Sequence, residues 1–475
     1  MNALIKNSLL LTATLIVPFQ KTFSQGKPNV LMIVIDDLND YPLQPKFNQV
    51  KTPNLDVFAK NALNFSRAYC AGPICNPSRA SVISGIAPYH SGIYNNRDRW
   101  ETSNPVNNCL PMPMAFKQNG YTTLWSGKFW HGYTTPKKEM LDVWWDEHRK
   151  HTGFGPYPTN PGLSKEISPV RDINYEMLDL PDSAWQDTKT ADETIERLER
   201  DFDKPFFMVC GFVRPHVPWT SPKRFYEMYN RDSTQTPNWI PNDWDDIPAG
   251  VKSIISNDVN FDKLMESGQW KDVVRAYLAS ISFLDFNLGR VTDALAKSKY
   301  AENTIVVIWA DHGYHLGEKS KFEKSALWER TTHNMLMIKT PYGDVAGKTC
   351  VRTVNLLDIY PTLVDLCNLK DIPKDQLDGH SLMPLLKNPS SNWEYPAITT
   401  YLKGNHAVRD ERYRYIYYPN IGEELYDMQN DPDEFINLAN KPGYEKVKRK
   451  LKTYLPKENA IPSGDPNIGK KVNTN

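Results

Sequence analysis

Four short apolar segments constrain the fold of this chain more than any other feature of its sequence. They read VLMIVI at 30–35, YTTLW at 121–125, FFMVCGF at 206–212 and TIVVIW at 304–309. Continuous apolar runs of this length are typical of strands that are buried on both faces, as in parallel sheets. Helical patterns lie between them, including one that begins at Pro53 and a long one over about 271–298. The alternation predicts an α/β fold with a mostly parallel sheet.

The two ends of the chain differ in character from its middle. Residues 1–24 combine Lys6, a short apolar core over 9–19 and small residues before position 25, which is the pattern of a cleaved signal peptide. We therefore expect an exported protein, periplasmic or secreted, and no membrane anchor. After about 388 the chain becomes rich in tyrosine, as in YRYIYY at 413–418. This predicts a main domain over 25–387 and a C-terminal subdomain over 388–475, with a short antiparallel sheet and a loose polar tail from about 462.

The charge balance narrows the class of partner. The 475 residues include 56 Lys and Arg and 56 Asp and Glu, so the formal net charge is zero. A neutral chain is not typical of proteins that bind nucleic acid or anionic membranes through a general positive field. A locally basic pocket for an anionic substrate remains compatible with this balance.

Polar side chains follow each of the four predicted strands. These are Asp36 and Asp37, then Lys128 and His131, then His216, and finally Asp311 and His312. Ligands of open α/β sheets bind beyond the carboxyl ends of the strands, so we expect these groups to meet. Three converging carboxylates repel one another unless a cation lies among them, and oxygen-rich sites suit calcium or magnesium. His312 would add a nitrogen ligand or a hydrogen bond. The alternative is that each group belongs to a separate surface turn.

The most specific motif is Cys75-Asn76-Pro77-Ser78-Arg79. With it the chain resembles the type I sulfatases of the alkaline phosphatase superfamily, whose signature is Cys-x-Pro-Ser-Arg. Further blocks match in family order: Pro28–Asp37, Thr52–Asp56, Gly120–Tyr121 with Gly127–Lys128, Asp311–Gly313, Pro361–Leu363, Asp378–Leu382, and Glu424–Asp427 with Asp431–Pro432. The resemblance implies an alkaline-phosphatase-like sandwich, with a large central, mostly parallel sheet between helices. It also makes 25–387 the catalytic domain.

The resemblance also implies a reaction, which the local sequence supports. In the family a maturation enzyme oxidises the motif cysteine, here Cys75, to formylglycine, and the hydrated aldehyde attacks sulfur. Pro77 suits the first turn of a helix, which places residue 75 at a helix N-terminus, where anions are favoured. Splitting the hydrolysis through a covalent intermediate replaces one difficult step by two easier ones. The cofactors expected are therefore formylglycine and one divalent cation, usually Ca²⁺ in the family.

Roles for the remaining residues follow from the family pattern. Asp36, Asp37, Asp311 and His312 match its metal ligands, and the oxygen of residue 75 completes the set. The other catalytic candidates form a second group. Arg79 would hold the formylglycine oxygen, Lys128 and Lys324 would bracket the sulfate, His131 would serve as base and His216 would protonate the leaving alcohol. As isolated residues, these lysines and histidines would be read as solvated or structural.

One departure from the common family pattern bears on the substrate. The segment 127–132 reads GKFWHG, with one residue more than Gly-Lys-Trp-His, and resembles the iduronate-2-sulfatase branch. That branch includes bacterial enzymes acting on ulvan and carrageenan, so the expected partner is a sulfated carbohydrate: an algal polysaccharide such as ulvan, or next a glycosaminoglycan uronate 2-sulfate. Aromatic rings stack on sugars and arginines bind anions. The predicted substrate contacts are Arg97, Arg99, Trp100, Trp130, Trp219 and Tyr314, with core packing or structural ion pairing as the alternative.

Two other functions and one disulfide complete the predictions. A phosphodiesterase or phosphonate hydrolase of the same superfamily would be distinguished by a second metal bound by extra carboxylates and histidines, in place of two lysines at the sulfate site. A non-catalytic protein that binds sulfated glycans would have no need for Cys75. Export permits disulfides; the sequence does not determine which of the six cysteines would pair, and a bridge between Cys70 and Cys109 is one candidate.

Overall fold

The computed structural model describes residues 26–464, except 45–46, 151–152, 161, 170–172, 256–258 and 342–344. The predicted signal peptide lies outside the described residues. The strands are β1 (Asn29–Asp36), β2 (Leu63–Phe65), β3 (Ala68–Tyr69), β4 (Thr122–Gly127), β5 (Glu147–Lys150), β6 (Tyr175–Leu178), β7 (Phe206–Pro215), β8 (Trp219–Pro222), β9 (Thr304–Ala310), β10 (His315–Leu316), β11 (Phe322–Glu323), β12 (His333–Asn334), β13 (Leu336–Lys339), β14 (Thr349–Cys350), β15 (Val354–Asn355), β16 (Ala397–Thr400), β17 (His406–Arg409), β18 (Tyr413–Tyr418) and β19 (Gly422–Asp427).

Helices alternate with these strands through most of the chain. They are α1 (Pro53–Ala59), α2 (Cys75–Ser84), α3 (Pro88–Ser91), α4 (Asn104–Asn107), α5 (Met112–Gln118), α6 (Lys138–Trp144), α7 (Gln186–Leu198), α8 (Lys223–Tyr226), α9 (Phe261–Glu266), α10 (Trp270–Lys297), α11 (Glu329–Thr332), α12 (Ile359–Leu366), α13 (Met383–Lys387) and α14 (Glu445–Lys452). The long helix predicted over 271–298 corresponds to α10. Among the described residues, no helix combines the length and apolar character that crossing a membrane requires.

The four apolar segments form the centre of one eight-stranded sheet. Its order is β14-β2-β13-β9-β1-β7-β4-β5. Strands β9, β1, β7, β4 and β5 run parallel, whereas β13 pairs antiparallel with both β9 and β2. The predicted mostly parallel α/β sheet is confirmed.

Both faces of this sheet are covered, which explains the uninterrupted apolar runs. Alternate residues of β1 enter two separate cores: Leu31, Ile33 and Ile35 on one face, and Val30, Met32 and Val34 on the other. Helices α1, α7 and α10 contribute to the first core, and α2, α5 and α12 to the second. The sandwich of helices around the sheet matches the predicted architecture.

The C-terminal region forms a four-stranded antiparallel sheet in the order β16-β17-β18-β19, as predicted. A shared apolar core joins it to the main part of the chain, and Trp328 Nε1 donates to Glu424 Oε2 at 2.8 Å inside this contact. The boundary at 387 stays a prediction. The prediction of a loose tail is wrong for 462–464, because Ser463 N donates to Gly92 O at 2.9 Å and Gly464 bridges to Asp98. Residues 465–475 lie outside the described part.

The cysteine prediction is also wrong. All six cysteines lie within the described residues, and all are free. Cys70 directly follows β3 and is fully buried, with its Sγ 3.9 Å from Thr331 O. Cys109 is partly buried and packs against the same apolar core. Apolar packing rather than a covalent link accounts for both thiols.

Candidate active site

The sheet topology brings the polar strand ends together. Strands β9, β1, β7 and β4 are consecutive neighbours. Asp36 ends β1, Lys128 follows β4, His216 follows β7, and Asp311 and His312 follow β9. Parallel neighbours place their carboxyl ends at one edge, so these side chains surround one point.

Two glycines allow β4 and β7 to approach closely enough to set the position of Lys128. Lys128 N donates to Gly211 O at 2.7 Å, and a Cβ on Gly211 would lie 2.0 Å from the Lys128 carbonyl oxygen. Gly127 has φ of +79°, and a Cβ there would lie 2.1 Å from Gly211 O. Only glycine fits both positions, and the backbone after β4 therefore turns directly into the site.

Cys75 begins helix α2 and is fully buried beside the strand ends. Its Sγ lies 3.3 Å from His312 Nε2, 3.2 Å from Lys324 Nζ and 4.0 Å from Asp37 Oδ1. Burial raises the pKa of the thiol, but the positive charges of Lys324, Lys128 and His312 outweigh that effect, and the net pKa is lowered. Residue 75 thus occupies a site that favours negative charge.

Arg79, one turn further along α2, connects two of the carboxylates. Its Nε lies 2.7 Å from Asp311 Oδ2, its Nη2 lies 3.1 Å from Asp36 Oδ1, and its Nη1 donates to Lys128 O at 2.8 Å. Lys128 Nζ also pairs directly with Asp36. Although burial opposes ionisation of Asp36, Lys128 and the other cations hold the pKa of that carboxyl well below its usual range. Asp36 is accordingly ionised.

Asp37 is a buried carboxylate with a hydrogen-bond partner on only one of its two oxygens among the described residues. Lys324 Nζ donates to its Oδ1 at 2.7 Å, but its buried Oδ2 accepts no hydrogen bond from any described residue. Burial and the neighbouring Asp36 raise the pKa of Asp37. A buried carboxylate oxygen without a partner is costly, and a bound cation would remove that cost.

The donor set around Asp37 fits such a cation. Ligand atoms of Asp36, Asp37, Cys75 and His312 lie within 4.8 Å of one another. Asp311 lies at the edge of this group: its Oδ2 is 3.6 Å from His312 Nε2, while its Oδ1 accepts from the backbone N–H of Asp37 at 3.1 Å. Two carboxylates, one imidazole and an atom of residue 75 are a set of donors that a divalent cation could bind.

The two predicted catalytic histidines line the other side of the site. His216 Nε2 lies 3.8 Å from Asp37 Oδ2, and its Nδ1 donates to Val217 O at 2.5 Å. Burial, followed by Lys128, holds the pKa of His216 well below its usual range. Burial and Lys128 also lower the pKa of the half-buried His131 to about 3. In this environment both imidazoles bind a proton less readily than a free histidine does.

A comparison with known proteins identifies the family. Residues 28–369 match the sulfatase family model, and residues 317–460 match the model of the C-terminal region of N-sulphoglucosamine sulphohydrolase. The chain belongs to the sulfatase family. It is therefore a sulfuric ester hydrolase.

Characterised relatives extend over most of this sulfatase. It is 37% identical to a sulfatase of Formosa agariphila, over 91% of this chain and 87% of that one. It is 28% identical to the ulvan-active sulfatase of the same organism, with 91% and 81% covered, and 26% identical to human iduronate 2-sulfatase, with 73% and 70% covered. Iduronate 2-sulfatase and an ulvan-active sulfatase, the two kinds of enzyme to which the GKFWHG segment pointed, are thus both among its relatives.

Solved structures share the fold of the sulfatase. The structure of BT4656 in complex with D-glucosamine-2-N,6-O-disulfate has a TM-score of 0.70 at 22% identity, covering 90% of this chain and 97% of that one. The phosphonate monoester hydrolase of Agrobacterium radiobacter has a TM-score of 0.72 at 21% identity, covering 90% and 94%. A protein that takes a disulfated glucosamine as substrate and a phosphonate monoester hydrolase thus share this architecture.

Four of the six predicted substrate contacts need correction. Trp219 and Tyr314 are fully buried and pack edge to face at 5.5 Å, and Trp219 Nε1 donates to Pro215 O. Trp100 and Trp130 are likewise buried and pack together at 5.3 Å. Their ring faces serve the core of the sulfatase and are not available to stack on a sugar. Arg97 is exposed and Arg99 is half-buried, so both remain candidates.

Several residues that organise the site carry no sequence signal that distinguishes them. Asn76, the variable position of the motif, donates to Asp98 O at 2.7 Å and to Asn95 O at 3.0 Å, which ties the loop after α3 to α2. Tyr277 in α10 donates to Asp37 O at 2.7 Å. Phe154 stacks on His216. Only the family motif around Asn76 could have directed attention to any of them.

Proposed function

We propose that this sulfatase hydrolyses sulfate esters of a sulfated polysaccharide or of its oligosaccharides, with residue 75 acting as formylglycine. The observation that carries the proposal is the position of Cys75, at the N-terminus of α2 with Lys324 and His312 within 3.3 Å of its Sγ. The ulvan-active relative favours ulvan as the substrate, and iduronate 2-sulfatase makes a uronate 2-sulfate the next choice.

Asp36, Asp37, Asp311 and His312 would hold a calcium ion, together with an oxygen of residue 75. The support is the unpartnered Asp37 Oδ2 and the mutual proximity of the donor atoms. When bound, the cation and the formylglycine supply an activated hydroxyl as nucleophile. The carboxylates and the imidazole would fix that hydroxyl at the helix N-terminus, where the free N–H groups favour negative charge.

Two lysines would bind the sulfate group. Lys128 and Lys324 approach the site from opposite carboxylates, Asp36 and Asp37. Preorganised cations in a buried site stabilise the charge that develops on the sulfate oxygens. Arg79 holds the carboxylate framework and lies near residue 75, whose oxygen it would orient.

The histidines would move the two protons of the reaction. His216 would donate a proton to the leaving alcohol, and His131 would remove one from the second hydroxyl of residue 75. The low pKa of each arises from burial and from Lys128. The negative charge of a bound sulfate ester opposes the effect of the lysine on both imidazoles.

We further propose that residues 1–24 direct export to the periplasm or the medium, and that a formylglycine-generating enzyme modifies Cys75. Both remain predictions from the sequence. The modification is required because the thiol of Cys75 is not the nucleophile of the proposed reaction.

The mass of the tryptic peptide Ala68–Arg79, taken from protein of the native host, tests the nucleophile. It contains both Cys70 and Cys75. We expect an aldehyde at position 75 and a thiol at position 70. Cys75→Ser should abolish ester hydrolysis, whereas Cys70→Ser, five positions earlier in a buried site, should retain it.

The outcomes separate the alternatives. Hydrolysis by Cys75→Ser at the wild-type rate would contradict the formylglycine mechanism. An unmodified thiol in active protein would do the same, and in inactive protein it would favour a sulfated-glycan binding role. Faster turnover of phosphonate monoesters or phosphodiesters than of sulfate esters would favour the alternative hydrolase. Among the described residues, one metal-binding group is found, which supports a single-cation sulfatase.

A further inference from the structure

The imidazole of His216 is packed against an aromatic ring from a distant part of the chain. Phe154 and His216 have ring centroids 4.5 Å apart with planes inclined by 25°. The Nδ1 atom of His216 is held by Val217 O, so the free edge of the ring presents Nε2 toward Asp37. One face and one nitrogen of the imidazole are thus fixed, and Nε2 is directed into the site.

The backbone of Phe154 is itself held by β7, the strand that precedes His216. Arg214, the second-to-last residue of β7, donates from Nη2 to Phe154 O at 2.9 Å and from Nε to Thr220 O at 2.9 Å. Arg214 is buried, and Thr220 Oγ1 donates to Pro156 O at 2.7 Å. The turn around Phe154 is therefore attached at two points to the segment 214–220.

The same ring also contacts a lysine of the proposed sulfate site. Lys128 Nζ lies 4.7 Å from the centroid of the Phe154 ring, within the range of a cation–π interaction. Phe154 is half-buried and does not belong to the apolar cores. Its position between Lys128 and His216 places it where the sulfate and the leaving alcohol would meet.

We propose that Phe154 is a positioning residue for His216, which holds the imidazole with Nε2 toward the bridging oxygen of the sulfate ester. This inference rests on the proposed role of His216 as the proton donor to the leaving alcohol. Without the ring, one face of the imidazole loses its packing contact, and the bond to Val217 O alone does not fix the ring against rotation about its side-chain torsions. Proton transfer requires a donor within hydrogen-bond reach, so loss of orientation lowers the rate of bond cleavage.

The chemistry of the leaving group distinguishes this role from simple packing. A sugar alcohol is a poor leaving group and needs a proton as the sulfur–oxygen bond breaks. The phenol of 4-nitrocatechol sulfate is a good leaving group and needs almost none. A residue that acts through His216 must therefore matter far more for the carbohydrate sulfate than for the aryl sulfate.

The experiment measures kcat and KM of wild type, Phe154→Leu, Phe154→Tyr and His216→Ala on ulvan oligosaccharides and on 4-nitrocatechol sulfate. Phe154→Leu keeps apolar bulk without an aromatic face, and thermal unfolding checks that each variant is folded. We expect Phe154→Leu to lower kcat on the oligosaccharide by about 10- to 100-fold, a part of what a general acid contributes. The kcat of Phe154→Leu on the aryl sulfate should change by less than about 3-fold. Phe154→Tyr, which keeps the aromatic face, should retain the wild-type kcat on the oligosaccharide.

Each result bears on one claim. If His216→Ala loses equal activity on both substrates, the role of His216 in the proposed function fails. If His216→Ala is selective and Phe154→Leu is not, the proposal for Phe154 is overturned. An equal fall in the kcat of Phe154→Leu on both substrates would also overturn it, and so would a rise in KM with kcat unchanged. Failure of the wild type to release sulfate from either substrate would count against the proposed function itself.

Discussion

Replacing Arg79 by methionine should destabilise the sulfatase strongly, because it removes the cation between two buried carboxylates. Arg79 is 1% exposed and contacts Asp36, Asp311 and the Lys128 carbonyl at 3.1, 2.7 and 2.8 Å. Methionine has a similar length and no charge. The substitution therefore leaves the packing nearly unchanged and removes the electrostatic contacts.

The expected loss of unfolding free energy depends on which partners Asp36 and Asp311 retain in the variant. Removing one partner of a buried ion pair costs about 3–5 kcal/mol. Asp36 retains Lys128, and Asp311 Oδ1 retains the backbone N–H of Asp37 and His312 at 3.1 and 2.9 Å. We therefore expect a loss near the lower limit, about 3 kcal/mol of unfolding free energy.

An exposed ion pair provides the matched control. Arg224 binds Asp182 with two bonds of 2.7 and 2.9 Å, a similar geometry, but its side chain is 48% exposed. Because water screens such pairs, Arg224→Met should cost less than about 1 kcal/mol. Arg79→Met thus removes a buried cation from two carboxylates, whereas Arg224→Met removes an exposed cation from one.

Calorimetric unfolding of wild type and both variants, in EDTA and in excess calcium, measures the effect. In EDTA, Arg79→Met should melt several degrees below Arg224→Met, and calcium should reduce the difference, since a cation beside Asp36 and Asp37 compensates part of the lost charge. Equal shifts for the two variants in EDTA would refute the argument from burial. A difference that calcium leaves unchanged would contradict the assignment of these carboxylates to a cation site.

Three further predictions address other parts of the molecule. Chelation by EDTA should abolish sulfate release and lower the melting temperature, and calcium should restore both; recovery with zinc alone would contradict an oxygen-rich site. Gly211→Ala should displace the backbone of Lys128, since its Cβ would lie 2.0 Å from that carbonyl oxygen; soluble protein with wild-type kcat would show that the approach is not tight. A hydrogen bond to Asp378 raises the pKa of His90. This contact therefore makes its full contribution to the free energy of unfolding at pH values below the unfolded pKa of about 6.5, and the contribution is lost as the pH rises through the folded pKa. His90→Gln should therefore cost under about 1 kcal/mol at pH 5 and less at pH 9, because His90 is half-exposed; a cost independent of pH would contradict the linkage.

The sequence alone determined the sheet and the identity of the strand-end groups. Strands buried on both faces need unbroken apolar runs, so VLMIVI at 30–35 and TIVVIW at 304–309 could be recognised without structural information. The carboxyl ends of parallel strands share one edge of the sheet. Asp37 and Asp311 could therefore be expected to meet, although 274 positions separate them. The motif at Cys75 supplied the chemistry.

Side-chain surroundings were decided only by the tertiary structure. Trp219 and Tyr314 are of residue types that often contact sugars, but the packing of α10 against them makes both rings part of the core. Phe154 reaches His216 from 62 positions away through a turn that β7 holds, and no local pattern encodes such a contact. Local sequence sets which residues enter a strand or begin a helix, whereas burial and ring contacts depend on segments that meet only after the chain has folded.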